Sequence, residues 1–265
     1  MPVTDVSVEF TPEELQTFQE QGWIVVRGLA PQSLVAQMRD ITREHLQREL
    51  PPVEYEAELH YPGAPPSLDA EGGRTIRRLK QAHARGHVFT AWLCYPGLLR
   101  RLQQLVGPRV YCPLAHHNCI MTKQPQFSSE TGWHQDIRYW SYTRPELVNA
   151  WLALGEEYPE NGGMWVIPGS HRATFTPQQF DAARFFLVDH PENQPWIARR
   201  SPVVLQPGDV LFFHCLTLHA ASHNSTSQPK WSVVFTFRGA ATQPLPGSRS
   251  ASSPELYLTP AESEC

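Results

Sequence analysis

From residue 109 to residue 238 the chain is a succession of short β-branched and aromatic runs cut by Gly, Pro and Asn turns. That rhythm restricts it to a sandwich or a barrel. The expected strands are 110–123, 132–137, 147–154, 163–167, 203–205, 210–215 and 231–238. Pro207-Gly208-Asp209 reads as a tight turn into the buried run Val210-Leu211-Phe212-Phe213, and 168–202 as a long insertion over one barrel mouth. Upstream the pattern is helical. Thr11-Pro12-Glu13-Glu14 is a capping box with proline at the first helical position, opening a helix that ends near Gly22. Residues 23–27 form a short strand, and 31–50 and 96–106 two further helices. The Pro-, Glu- and Gly-rich stretch 51–73 is a surface loop and candidate lid. The expected class is mainly β with flanking α-helices. One domain covers 1–240, with a helical flank and lid loop over 1–108 and the β core over 109–240; the Ser- and Pro-rich 241–265 is a poorly ordered tail.

Strand parity sorts side chains by face. His134, Asp136 and Arg138 share one face of the second expected strand; Asn149, Trp151 and Ala153 share a face of the third. In the last strand, Trp231, Val233, Phe235 and Phe237 oppose Lys230, Ser232, Val234, Thr236 and Arg238. The aromatic face packs on apolar material, so the other face lines the interior and its polar groups need a polar ligand. His134 and Asp136, an imidazole and a carboxylate two residues apart, would be joined by a later histidine on a neighbouring strand. Two histidines and one carboxylate on one face of an octahedron mark non-haem Fe(II) oxygenases, because the opposite face stays open.

Composition narrows the alternatives. A hydrophobic share of 41% supports a core without disulfide staples, and the five cysteines lack metal-type spacing, so reduced thiols are expected. A net charge of -4 favours neither nucleic acid nor an anionic membrane. No apolar run approaches membrane-spanning length, and no secretory signal opens the chain. A soluble, intracellular, cytoplasmic protein with a small-molecule substrate is the expectation; the oligomeric state is open, a monomer being compatible.

The ordered set Trp133-His134-Gln135-Asp136, Ala150-Trp151, Asn161-Gly162-Gly163, Ile167-Pro168-Gly169-Ser170-His171, Pro207-Gly208-Asp209 and Leu218-His219 resembles the phytanoyl-CoA dioxygenase family of Fe(II)/2-oxoglutarate oxygenases, over roughly residues 10–240. The resemblance implies a double-stranded β-helix, a jelly-roll or cupin-like barrel. It implies iron ligands His134, Asp136 and His219, with His214 a competing third ligand. Related halogenases replace the carboxylate with a small residue, so retaining Asp136 argues for oxygenation. It also implies 2-oxoglutarate as co-substrate, O₂ as oxidant and ascorbate as a stimulant. Where the family places an arginine to clamp the distal carboxylate of 2-oxoglutarate, eleven residues after the distal histidine, this chain has Lys230, a point charge instead of a bidentate fork. Arg238 is the other candidate on that face. The family's serine two residues after the distal histidine is Ala221 here, with Ser222 as a substitute. By the same resemblance Trp151 walls the co-substrate site, Lys80 falls near a lysine that contacts 2-oxoglutarate, Cys119 replaces a lining methionine, and Asn149 joins the co-substrate side.

Other groups have two readings. Of His116 and His117, at most one faces the cavity. His171 is a turn hydrogen bond before it is a catalytic group. Arg77, Arg78, Lys80 and Arg85 are either a solvated face or an anion site; Arg138 either orients a substrate acid or forms a structural ion pair. The function implied is hydroxylation of a small organic substrate of acyl-CoA, amino-acid-like or natural-product type. The alternatives are a non-catalytic 2-oxoglutarate- and metal-binding barrel and a Zn or Mn cupin-type enzyme, since zinc sites use the same residue types.

Overall fold

The computed structural model describes residues 8–259. The helices are α1 (Pro12–Gln21), α2 (Gln32–Gln47), α3 (His87–Leu93), α4 (Pro96–Val106) and the short α5 (Gln194–Ile197). The strands are β1 (Trp23–Val26), β2 (Val53–Tyr55), β3 (Ile76–Lys80), β4 (Val110–Pro113), β5 (Asn118–Lys123), β6 (Thr131–His134), β7 (Leu147–Ala153), β8 (Met164–Val166), β9 (Ser201–Pro202), β10 (Val210–His214), β11 (His219–Ala221), β12 (Lys230–Gly239) and β13 (Glu255–Leu258).

Two antiparallel sheets face each other. The large one runs β1-β10-β7-β12-β5-β3-β2, with β4 on the far end of β12 and β13 on β4; the small one runs β6-β11-β8-β9. The sheets are not closed into a barrel. Helices α1 to α4 cover the outer face of the large sheet. There Trp92, Phe89, Leu98, Leu99 and Leu102 meet Val233, Phe235 and Phe237, the aromatic face of β12. The inner face carries a second apolar cluster, Trp151, Ala153, Leu211, Phe213 and Val234, against Met164 and Val166 of the small sheet. Strand β7 is thus buried on both sides along its whole length, which explains its near-unbroken apolar run; Asn149 is the polar exception.

The helix start was legible. The Thr11 hydroxyl accepts from the Glu14 amide, the Glu14 carboxylate accepts from the Thr11 amide, and Gly22 ends α1 at φ +79°. A side chain at Gly22 would collide with the His171 ring, and His171 Nε2 donates to the Gln19 carbonyl at 3.1 Å. His171 is therefore a clasp on the end of α1.

Several expectations are corrected. The run 110–123 is two strands, broken by a turn at 114–117. The loop 51–73 contains β2, which pairs with β3, and so extends the large sheet. The basic run is not one solvated face. Arg77 is buried and donates to Glu56, Ser129 and Thr131, while Arg85 caps the carbonyls of Leu50, Pro52 and Lys80. The tail is not featureless: β13 zips onto the free edge of β4, buries Leu258, and brings Glu255 to Arg238. An open sheet edge needs a partner, a demand invisible in Ser/Pro composition. Four of the cysteines are free thiols; Cys265 lies outside the described residues.

Candidate metal centre

His134 closes β6 and His219 opens β11, and the two strands pair so that these residues are direct neighbours. Asp136 is not on the strand. After extended Gln135 the chain turns into a 3₁₀ segment at Asp136–Tyr139. The parity argument thus placed Asp136 on the right side for the wrong reason, and Arg138 does not follow it. The turn is held by Gln135 Nε2 donating to the Leu216 carbonyl at 2.7 Å and by the Ile137 amide donating to Cys215 at 3.2 Å. Those bonds stitch it to the loop that delivers His219. Ser170 Oγ accepts from the Leu218 amide, and Thr217 Oγ1 donates to the Gly22 carbonyl, fixing the same loop from two further sides.

The three side chains converge. One ligand atom from each of His134, Asp136 and His219 lies within 4.8 Å of the others, and all three residues are buried. Both Nε2 atoms face Asp136 Oδ1, at 3.6 and 3.7 Å. Each Nδ1 is occupied by a main-chain carbonyl, His134 donating to Gly132 at 2.8 Å and His219 to Thr217 at 3.0 Å. A proton on Nδ1 leaves Nε2 with its lone pair aimed inward, the tautomer a metal ligand needs. Burial, with His134 alongside, pushes the His219 imidazole down to about 4, so it is neutral at physiological pH.

Asp136 has its own support. Asn149 Nδ2 donates to Oδ2 at 2.8 Å, and Thr236 Oγ1 orients Asn149 by donating to its carbonyl oxygen at 2.6 Å. His117 Nε2 donates to Oδ1 at 3.1 Å. Burial opposes ionisation of this carboxyl, but His117, His219 and the imidazole hydrogen bonds outweigh it and hold Asp136 well below the usual range. Burial likewise opposes a charge on His117, yet the Asp136 carboxylate raises it to about 9. His117 is thus the one of the two adjacent histidines that faces inward. His116 instead meets Ser250 and the Trp140 ring. His214 is not a rival ligand: it lies beside His171 with its ring accepting from the Leu216 amide.

The remaining sequence candidates scatter. Trp151 and Cys119 line the space between the sheets. Lys80 is half-exposed at the rim, 3.8 Å from Glu54. Arg78, two positions earlier on β3 and named in the sequence with Arg77, Lys80 and Arg85 as a solvated face or an anion site, is partly buried and pairs with Glu54 at 2.9 Å. Arg238 points away, into its ion pair with Glu255. Ser222 accepts from Trp165 Nε1 at 3.1 Å. Lys230 is buried on the interior face, but it reaches an internal carboxylate, Glu157, at 3.1 Å. Nothing in the local sequence marks Glu157; it follows β7 by four residues and enters the site through the turn.

Beside the triad lies a cavity of about 800 Å³ between residues 59–62, residues 181–188 of the insertion, and Trp133, Trp165 and Ala221 of the small sheet. Phe185 separates it from His134, the rings 5.9 Å apart, and Arg138 lies 3.7 Å over the Phe185 ring.

A family model described as "Phytanoyl-CoA dioxygenase (PhyH)" matches residues 18–232. Among curated relatives, the human peroxisomal phytanoyl-CoA dioxygenase is 24% identical over 241 residues, spanning 87% of this chain and 69% of that protein. The bovine phytanoyl-CoA dioxygenase domain-containing protein 1 is 24% identical over 94% of this chain and 98% of its own length. Among solved structures, EctD from S. alaskensis with 2-oxoglutarate and 5-hydroxyectoine superposes with a TM-score of 0.72 at 21% identity, covering 91% of this chain and 79% of that one. The non-haem α-ketoglutarate-dependent carbocyclase SnoK from nogalamycin biosynthesis does so at 0.70 and 19% identity, covering 94% and 97%. These likenesses establish the jelly-roll fold.

Proposed function

We propose, from the premise that this chain belongs to the phytanoyl-CoA dioxygenase family, that it is a mononuclear Fe(II) oxygenase that couples oxidation of a 2-oxo acid to hydroxylation of a small organic substrate. The observation that carries this reading is the buried His134–Asp136–His219 convergence, with both imidazole Nδ1 atoms already spent on main-chain carbonyls. That donor set fits a ferrous ion. When bound, the ion supplies dioxygen activation, with the 2-oxo acid as reductant.

The chain's own residues have three tasks. His134 and His219 present neutral donors, and Asp136 supplies one compensating charge, so the remaining coordination face is free for small molecules. Asn149 and Thr236 hold the carboxylate so that one oxygen points at the histidines. The lining of Cys119, Val166, Phe213 and Val234 keeps bulk water from the centre. The cavity beyond Phe185 has the size of a small-molecule chamber. Arg138, stacked over Phe185, is suited to an anionic group on an acyl-CoA, amino-acid-like or natural-product substrate. Hydrogen abstraction asks for no side-chain base.

The test is release of labelled CO₂ from a panel of carboxyl-labelled 2-oxo acids. Release that requires Fe(II), and is lost in His219→Ala and Asp136→Ala, supports the reading. Absence of Fe(II) binding by calorimetry overturns it. The already paired Lys230 favours a second reading, a scaffold that binds metal without turnover; its signature is tight Fe(II) binding with no CO₂ from any acid.

A further inference from the structure

Deeper in the space between the sheets lies a second polar cluster, and its charges are already balanced. Glu157 accepts from Lys230 Nζ at 3.1 Å, from Ser232 Oγ at 2.6 Å, and from Trp151 Nε1 at 3.0 and 3.1 Å. Lys230 also lies 4.9 Å from the centroid of the Trp151 ring and donates to Ser232 at 3.1 Å. Both charged side chains are within 2% of complete burial. Glu157 is not a loose side chain that happens to have folded inward. Its amide and carbonyl make a reciprocal pair of 2.9 Å bonds with Leu205, which anchors its main chain.

The cluster adjoins the metal centre. Trp151 sits two positions from Asn149 on one face of β7, about 7 Å along the strand, and Asn149 holds Asp136. Ser232 and Lys230 continue the interior face of β12, two and four positions beyond Val234, which is paired with Trp151. Lys230 is also the residue that the family resemblance assigns to the remote carboxylate of an acidic co-substrate. Here the protein supplies that carboxylate itself. A second carboxylate arriving at Lys230 would meet a neutral pair and a like charge on Glu157, and would have to shed its water beside a cation whose charge Glu157 already offsets.

We infer that Glu157 is a specificity-determining residue: standing where the remote carboxylate of 2-oxoglutarate would be clamped, it makes the centre prefer a 2-oxo acid with an uncharged tail. This rests on the oxygenase reading above. Two cations elsewhere, Arg78 and Lys80, share the single carboxylate Glu54, and they define the competing location for an acidic tail.

The experiment is an anaerobic titration of the Fe(II)-loaded full chain with 2-oxoglutarate and with 2-oxopentanoate, which has the same carbon count and no remote carboxylate. The metal-to-ligand charge-transfer band gives the dissociation constants. In the wild type, 2-oxopentanoate is expected to bind at least as tightly as 2-oxoglutarate. In Glu157→Gln, which keeps the side-chain shape and frees the Lys230 charge, 2-oxoglutarate binding is expected to tighten roughly tenfold or more, with 2-oxopentanoate nearly unchanged. The wild-type comparison decides the matter even if that variant folds poorly. Tighter wild-type binding of 2-oxoglutarate by tenfold or more, sensitive to Arg78→Ala or Lys80→Ala and not to Glu157→Gln, overturns this inference and leaves the oxygenase reading standing. No band with either acid on an iron-loaded protein overturns both.

Discussion

Asn149 is the only polar side chain on a strand buried along its whole length, and its amide divides its hydrogen bonds between Asp136 and Thr236. Losing it leaves the carboxylate free to rotate and Oδ2 short of a donor. Asn149→Ala is therefore expected to weaken Fe(II) affinity by about 10- to 100-fold, the usual cost of removing a group that orients a metal ligand, while the far-ultraviolet circular dichroism stays that of the wild type. Calorimetric Fe(II) titration checks this; unchanged affinity would remove Asn149 from the role. At this scale the convergence of His134, Asp136 and His219 was readable from residue type and spacing. The sequence was mute for Glu157, because a glutamate in a turn looks solvated until the fold buries it. Lys80, placed only by its distance upstream of His134, stands half-exposed at the end of β3.

Strands were located better than their ends. Strand β11 is three residues long, too short to carry a period, and yet it bears the distal histidine. The break after His134 was hidden because Gln135-Asp136-Ile137-Arg138 alternates like a strand, while the Gln135 side chain and the Ile137 amide bond to the 215–216 loop. The end of β10 has a consequence for acid stability. His214, wedged beside His171, is pushed down by burial to about 4. Above pH 6.5 it is neutral both folded and unfolded, and costs nothing. As pH falls from 6.5 towards 4, the unfolded chain gains a proton that the folded one refuses, so stability drops across that window and this contribution levels off below it. His214→Gln should recover on the order of 2 kcal/mol of the loss between pH 7 and pH 4.5 relative to wild type, measured by urea unfolding at both pH values. Parallel wild-type and variant curves would show that His214 protonates freely in the fold.

For the whole molecule, the jelly roll was legible because an aromatic and a polar face alternate along β12, and because helices of clear amphipathic pattern precede it. The pairing order of the strands and the docking of β13 were not, since both depend on edges that form only when the sheets assemble. The assembled molecule should respond to metal as a unit. A ligand bound only by the folded state adds about 2.7 kcal/mol at a hundred times its dissociation constant. Anaerobic Fe(II) should accordingly raise the thermal midpoint by several degrees and a chelator should reverse the rise; an unmoved midpoint in the presence of saturating Fe(II) would contradict a preformed site.

His134 and His219 ride on the four-stranded sheet, whereas Asp136 is tethered by Asn149 and Thr236 to the nine-stranded one. An ion gripped by all three is a rivet through both plates of the sandwich. Any shift of one sheet against the other would draw the two imidazoles away from the carboxylate, so the spacing of the three donors is set by how the sheets pack.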